Sequence, residues 1–155
     1  MKFEGEYLNG EKNGNCKEYF NNDNLKFEGE YKNGKKWNGK GYDINGNFIY
    51  ELKEGNGKCK EYEFDGVLKY DGEYLNGERS GKGKEYDRGG KLLYEGEFLN
   101  GKRNGIGKEY DLNGHLKYEG EFLNGIRNGK GKEYDIEGHI IYEDEFREGA
   151  KISSI

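Results

Sequence analysis

Apolar and polar residues alternate with a period of two along most of this chain. In Leu116-Lys117-Tyr118-Glu119-Gly120-Glu121-Phe122, residues 116, 118, 120 and 122 share one face, and Lys117, Glu119 and Glu121 share the other. Such alternation predicts a half-buried β-strand. The next segment, Asn124-Gly125-Ile126-Arg127-Asn128-Gly129, predicts a turn, because Asn and Gly supply the positive φ angles that hairpins require. Lys130 to Asp135 (KGKEYD) then makes a return strand, and Ile136-Glu137-Gly138-His139 turns the chain again.

The cycle repeats. Tyr94–Lys117 and Tyr118–Ile141 agree at 18 of 24 aligned positions, and Tyr70–Leu93 agrees with Tyr94–Lys117 at 15 of 24. Earlier units run Phe3–Lys26, Phe27–Ile49 and Tyr50–Lys69, and a partial seventh runs Tyr142–Ile155. A fixed period of this length marks a stacked-repeat architecture, in which each unit buries its apolar face only against its neighbours. The expected fold is all-β: one domain over residues 1–155, built as an elongated, single-layer antiparallel sheet of stacked β-hairpins. At ~4.8 Å per strand, some 13 strands give a sheet about 60 Å long. Two units depart from the rule. Unit two carries Trp37 in its turn and Gly41-Tyr42 in place of the KEY tripeptide, and unit three lacks four residues before its KEY.

Glycine inside a strand weakens a sheet unless something must come close. Gly96 and Gly120 lie between two aromatics on one face, and Gly105, Gly107, Gly129 and Gly131 occupy the return strands. The expectation is a core of rings lying flat over glycine. Composition sharpens this picture. A mean hydropathy of −1.25 and 37% charged residues place the chain near the disordered class. The aromatics, 15% of residues, recur at fixed positions, and each buries roughly 150–250 Å². They replace a compact aliphatic core. Zero prolines suits a continuous ladder.

The string YEGEFLNG, followed by Arg and Gly-x-Gly at Tyr94–Gly107 and Tyr118–Gly131, resembles the MORN (membrane occupation and recognition nexus) repeat. The KEYD-x-x-G segment is also similar to a bacterial antitoxin-like MORN variant. The resemblance implies hairpin repeats in a twisted sheet with a groove along it, and binding or scaffolding instead of catalysis.

The residues themselves argue against an enzyme, since an active site needs unlike groups converging once. The pairs Glu4/Glu6, Glu28/Glu30, Glu95/Glu97 and Glu119/Glu121 recur in unit after unit, which fits a solvated ladder balanced by lysines better than an acid–base pair. Asp43-Ile44-Asn45-Gly46 and Asp111-Leu112-Asn113-Gly114 lack the further ligands of a calcium loop and read as Asx turns. His115 and His139 fall one unit apart, about 10 Å by strand spacing, too far to share a zinc. Ser80, Ser153 and Ser154 offer no nucleophile constellation. Cys16 and Cys59 lie two units apart, roughly 19 Å by the same spacing, so no intramolecular disulfide is expected. No catalytic residue, metal or cofactor is expected.

Two rows remain as candidates for recognition. The first is the aromatic file Tyr7, Tyr31, Tyr74, Phe98, Phe122 and Phe146, whose alternative reading is core packing. The second is the row of turn cations Lys12, Lys36, Arg79, Arg103 and Arg127, whose alternative reading is a solvated edge. The unbroken stretch Tyr74, Phe98 and Phe122, flanked by Arg79, Arg103 and Arg127, is the expected partner site, because unit three and Trp37 interrupt the file upstream. The expected partner is a protein segment in the groove. An anionic phospholipid headgroup or a toxin-like protein to be inhibited are the alternatives. A net charge of −5 with both signs interspersed weakens the membrane alternative and disfavours nucleic acid. The strand beginning at Phe3 has no cap before it, which allows edge-to-edge or antiparallel pairing with a second copy. The start, Met1-Lys2-Phe3-Glu4, has no apolar run of the signal-peptide kind, so a cytoplasmic setting is expected.

Overall fold

A computed structural model describes residues 2–152. Met1 and the end of the partial seventh unit, with Ser153 and Ser154, lie outside the described residues. Fourteen strands follow one another: β1 Lys2–Leu8, β2 Glu11–Tyr19, β3 Leu25–Lys32, β4 Lys35–Tyr42, β5 Phe48–Leu52, β6 Gly57–Tyr62 and β7 Leu68–Leu75. Then come β8 Glu78–Tyr86, β9 Leu92–Leu99, β10 Lys102–Tyr110, β11 Leu116–Leu123, β12 Ile126–Tyr134, β13 Ile140–Arg147 and β14 Ala150–Lys151. Every pairing is antiparallel and joins chain neighbours, and no helix is present among the described residues.

Two kinds of turn alternate. At one edge, Asn-Gly closes a two-residue hairpin, as at Asn100 (φ 50°) and Gly101 (φ 84°), between paired Leu99 and Lys102. Both central residues take positive φ, the conformation that matches the twist of the flanking strands. These turns are stitched together: from Gly34 on, each turn glycine donates its N–H to a carbonyl in or just after the preceding turn, as Gly101 to the Arg79 carbonyl at 2.9 Å and Gly125 to that of Arg103 at 2.8 Å. At the other edge an aspartate organises the loop, as expected of Asx turns. Asp111 Oδ1 accepts the backbone N–H of Asn113 and of His115, each at 2.9 Å.

The core is the expected ring over glycine. Gly72, Gly83, Gly96, Gly107, Gly120 and Gly131 face one another across consecutive strands in a single row. A Cβ at Gly120 would lie 2.5 Å from the Gly131 Cα and 2.6 Å from the Tyr118 hydroxyl. Tyr70, Tyr94 and Tyr118 are fully buried against this row, and each hydroxyl donates to a backbone carbonyl three residues on at 2.9 Å. Tyr94 and Tyr118 each also meet two other rings edge to face, their own unit's fifth residue and the next unit's, while Tyr70 meets Phe98 edge to face and Tyr74 at a tilt of 51°. Tyr94 lies 5.3 Å from Phe98 and 5.1 Å from Phe122, a geometry that favours aromatic quadrupoles. Gly105 and Gly129 differ from the expectation. No ring covers them; they form bulges at φ 90° and 101°, where a Cβ would strike Glu97 or Glu121.

The hairpins do not form one continuous sheet. β1–β5 make one sheet and β6–β14 another, and between β5 and β6 the ladder shrinks to the isolated Lys53–Asn56 bridge beyond the strand ends. Unit three carries the cause. Leu52 pairs with Gly39 in the place that Gly120 holds opposite Gly107, and Cys59 stands where Gly131 and Gly83 stand. Two buried side chains thus replace a glycine pair whose backbones would have to touch. The strands splay, and Leu52, Cys59, Tyr50, Phe27 and Tyr31 pack into a core that spans the break. The aromatic chain divides at the same place, as the shortened unit leads one to expect: one run joins Tyr7, Phe3, Tyr31 and Phe27, and the other extends from Tyr74 to Tyr142.

Candidate functional site

Strand alternation gives the second sheet two unlike faces. On the aromatic face, register places Arg79, Arg103 and Arg127 beside Tyr74, Phe98 and Phe122. The six expected site residues are therefore brought together. Phe98 and Phe122 are each only 4% exposed, within the ring ladder. Tyr74 is half-buried at the ladder's first position, its hydroxyl donating to Glu61 at 2.7 Å.

The arginines correct the solvated-edge reading. Their side chains are 13%, 21% and 14% exposed, with guanidinium carbons 4.5, 4.6 and 4.4 Å from the ring centres of Tyr70, Tyr94 and Tyr118. Each links two glutamates, one from the preceding KEY and one from its own. The result is a continuous chain: Glu61–Arg79 at 2.7 Å, Arg79–Glu85 at 3.2 Å, Glu85–Arg103 at 2.7 Å and Arg103–Glu109 at 3.8 Å. It continues through Glu109–Arg127 at 2.7 Å, Arg127–Glu133 at 2.9 Å and Glu133–Lys151 at 2.8 Å. Burial alone would raise the Glu61 carboxyl, but the Arg79 hydrogen bonds and charge outweigh it and hold the group below its usual range. This face is a sealed lid over the tyrosines.

The opposite face is open. Over the glycine row runs a groove, with cavities of about 740 and 510 Å³ that share Ile106, Gly107 and Lys108. One wall alternates in sign across the strands: Lys60, Asp71, Lys84, Glu95, Lys108, Glu119, Lys132 and Glu143. Ile106, 60% exposed, sits in the other wall where Lys82 and Lys130 stand in neighbouring units. Beside the Asn-Gly turns Leu75, Leu99 and Leu123 form an exposed file on the same face. Parity reveals these leucines, since each follows a buried ring or Tyr74 and so points away from it; counting aromatics alone hides them.

The acidic pairs are not a simple ladder, because their two members do different work. Glu97 and Glu121 fold onto the bulges, and Glu97 accepts the Ile106 N–H at 2.6 Å. Glu95 instead accepts the Tyr110 hydroxyl at 2.6 Å. Both cysteines are buried free thiols, as expected; burial is the main cause that pushes Cys16 up to about 11 and Cys59 up to about 12. Asp135, Glu137 and His139 bring three donor atoms within 4.8 Å of one another, in an exposed turn whose aspartate already holds two backbone N–H groups.

Comparison with protein families agrees with this geometry. The MORN repeat matches residues 27–41, 70–91, 94–115 and 118–139, together more than half the chain. The chain belongs to the MORN-repeat family. A MORN repeat variant matches residues 12–33 and 55–76, the latter beginning in the shortened hairpin. No curated protein matches the chain. MORN repeats generally serve as protein- or lipid-interaction modules. In this MORN chain the two faces divide the labour, one holding the stack together and the other standing open.

Proposed function

We propose that this protein is a non-enzymatic interaction module that captures an extended protein segment in the glycine-floored groove of its second sheet. One observation carries the reading. Where the aromatic face is closed by its arginine–glutamate chain, the opposite face offers a groove whose floor is bare backbone and whose walls alternate in charge. A segment lying there meets alternating Lys and Glu, which fixes register and partner choice more than raw affinity. Leu75, Leu99, Leu123 and Ile106 supply the apolar anchors that binding hot spots need. Tyr74, Phe98, Phe122 and the three arginines then serve recognition indirectly, by holding the groove's curvature. The neutral balance of the walls favours a protein segment over an anionic lipid surface, which calls for a concentrated basic patch. Antitoxin-like inhibition of the captured protein would use the same groove.

The test needs the native partner, recovered by affinity capture from the source cells and titrated as a purified protein. Ile106→Trp fills the groove at the junction of its two cavities and leaves the core untouched. Binding is expected to weaken at least about tenfold, roughly 1.4 kcal/mol, with the melting temperature unchanged. Equal affinity of wild type and variant would rule out groove capture.

A further inference from the structure

The break between the sheets creates a second feature that groove binding does not use. A cleft of about 270 Å³ opens at the seam, lined from the first sheet by Glu18, Lys26, Tyr31 and Lys36 and from the second by Glu61 and Lys69 among others. Its charges do not balance locally. Glu61 is taken by Arg79, through Nε at 2.7 Å and Nη2 at 3.0 Å. Lys35, also on the rim, is paired with Glu78 at 2.8 Å. Glu18 accepts the Tyr31 hydroxyl and is the one lining carboxylate left for Lys26, Lys36 and Lys69. Among the described residues none of these three lysines forms an ion pair. Lys36 instead lies 3.4 Å from the Tyr50 hydroxyl and Lys26 rests 4.4 Å over the Phe64 ring.

Register explains the surplus. In the second sheet every cation of this kind has two carboxylates, because Glu85, Glu109 and Glu133 stand opposite Tyr70, Tyr94 and Tyr118. Lys36 holds the arginine's place opposite Tyr31, but Gly41 stands opposite Phe27 where that second glutamate belongs. The ion-pair chain is one carboxylate short at the seam. Lys26 reports the strain: burial first, then the Lys36 charge, pushes its ammonium down to about 8, against the opposing pull of Glu18 and Glu63 and with a further push from Lys69.

We infer that this cleft binds a small polyvalent oxyanion, phosphate or a phosphate monoester in solution, held by Lys26, Lys36 and Lys69. The anion supplies the negative charge that Gly41 does not, and it bridges the two sheets where their hydrogen-bonded ladder is open. The inference is independent of groove capture, which lies on the other face.

Calorimetric titration of the full chain with inorganic phosphate and with pyrophosphate tests it. Saturable binding is expected, with net proton uptake near pH 8 as the anion restores the Lys26 charge. Lys26→Gln with Lys69→Gln should weaken binding at least about tenfold, with the melting temperature close to wild type because neither residue is among the buried core side chains. Lys130→Gln with Lys132→Gln, on the far face, should bind as wild type does. A parallel arm uses phosphatidylcholine vesicles with and without a phosphoinositide. No saturable binding of either soluble anion, equal loss in both double variants, or binding to phosphoinositide vesicles alone would overturn the proposal.

Discussion

Glycine does the work at the scale of single residues that side chains do elsewhere. Gly120 and Gly131 let two backbones and the Tyr118 hydroxyl meet at distances that leave no room for a methyl group. Gly120→Val should therefore cost about 2 kcal/mol or more by overpacking, while Lys117→Val, on the solvated strand start, should be near neutral; equal effects in denaturant titrations would contradict the packing. The arginines carry a second expectation. Arg103→Glu breaks pairs to Glu85 and Glu109 and uncovers Tyr94, so it should destabilise by about 2 kcal/mol, less than a fully buried pair because one-fifth of the side chain meets water. A loss under about 0.5 kcal/mol would return the row to a solvated edge. The ring-over-glycine core was legible from sequence because rings and glycines share one strand parity. The arginines' burial was not, because each reaches a glutamate 18 residues earlier as well as one six residues on, pairs that only strand register brings together. Acid should expose the same chain. Glu61 and Glu133 of that chain, and Glu18 at the seam, are held below the usual carboxylate range. The unfolded chain then takes up protons first as pH falls, so this stability is present above about pH 4.3 and is lost below it. Glu61→Gln should flatten that loss between pH 5 and pH 3 (about two units around the unperturbed carboxylate value), and an unchanged slope would contradict the pairing.

Hairpins are the unit at the next scale, and their regularity made them easy to read. The alternation, the Asn-Gly turns and the aspartate-capped loops all fall where local chemistry puts them. The break between β5 and β6 was harder. The four missing residues mark unit three as irregular, yet what opens the ladder is the simultaneous loss of both glycines, at Leu52 and Cys59, and that pairing depends on register. Leu52 fills the seam core at 1% exposure, so Leu52→Ala should cost about 3 kcal/mol. Amides of β5 and β6 should exchange with deuterium before those of β9 to β12, since short ladders open at lower free energy. Uniform protection across all strands would mean that the two sheets are one.

For the whole molecule, stacking neighbours one at a time produces two open antiparallel sheets, the second with two unlike faces. The proposed groove capture puts recognition on the face opposite the buried stack, where Phe98, Phe122 and Phe146 mark the interior and Leu75, Leu99 and Leu123 mark the surface. The most direct measurement is a nuclear magnetic resonance titration of the isotope-labelled chain with its captured partner. Groove capture predicts perturbed amides at Gly83, Gly96, Gly107 and Gly120 and at Lys84, Ile106 and Lys108, with the Nε signals of Arg79, Arg103 and Arg127 unmoved. Perturbation concentrated on those arginines and on Tyr74, with the glycine row silent, would place recognition on the aromatic face and contradict it.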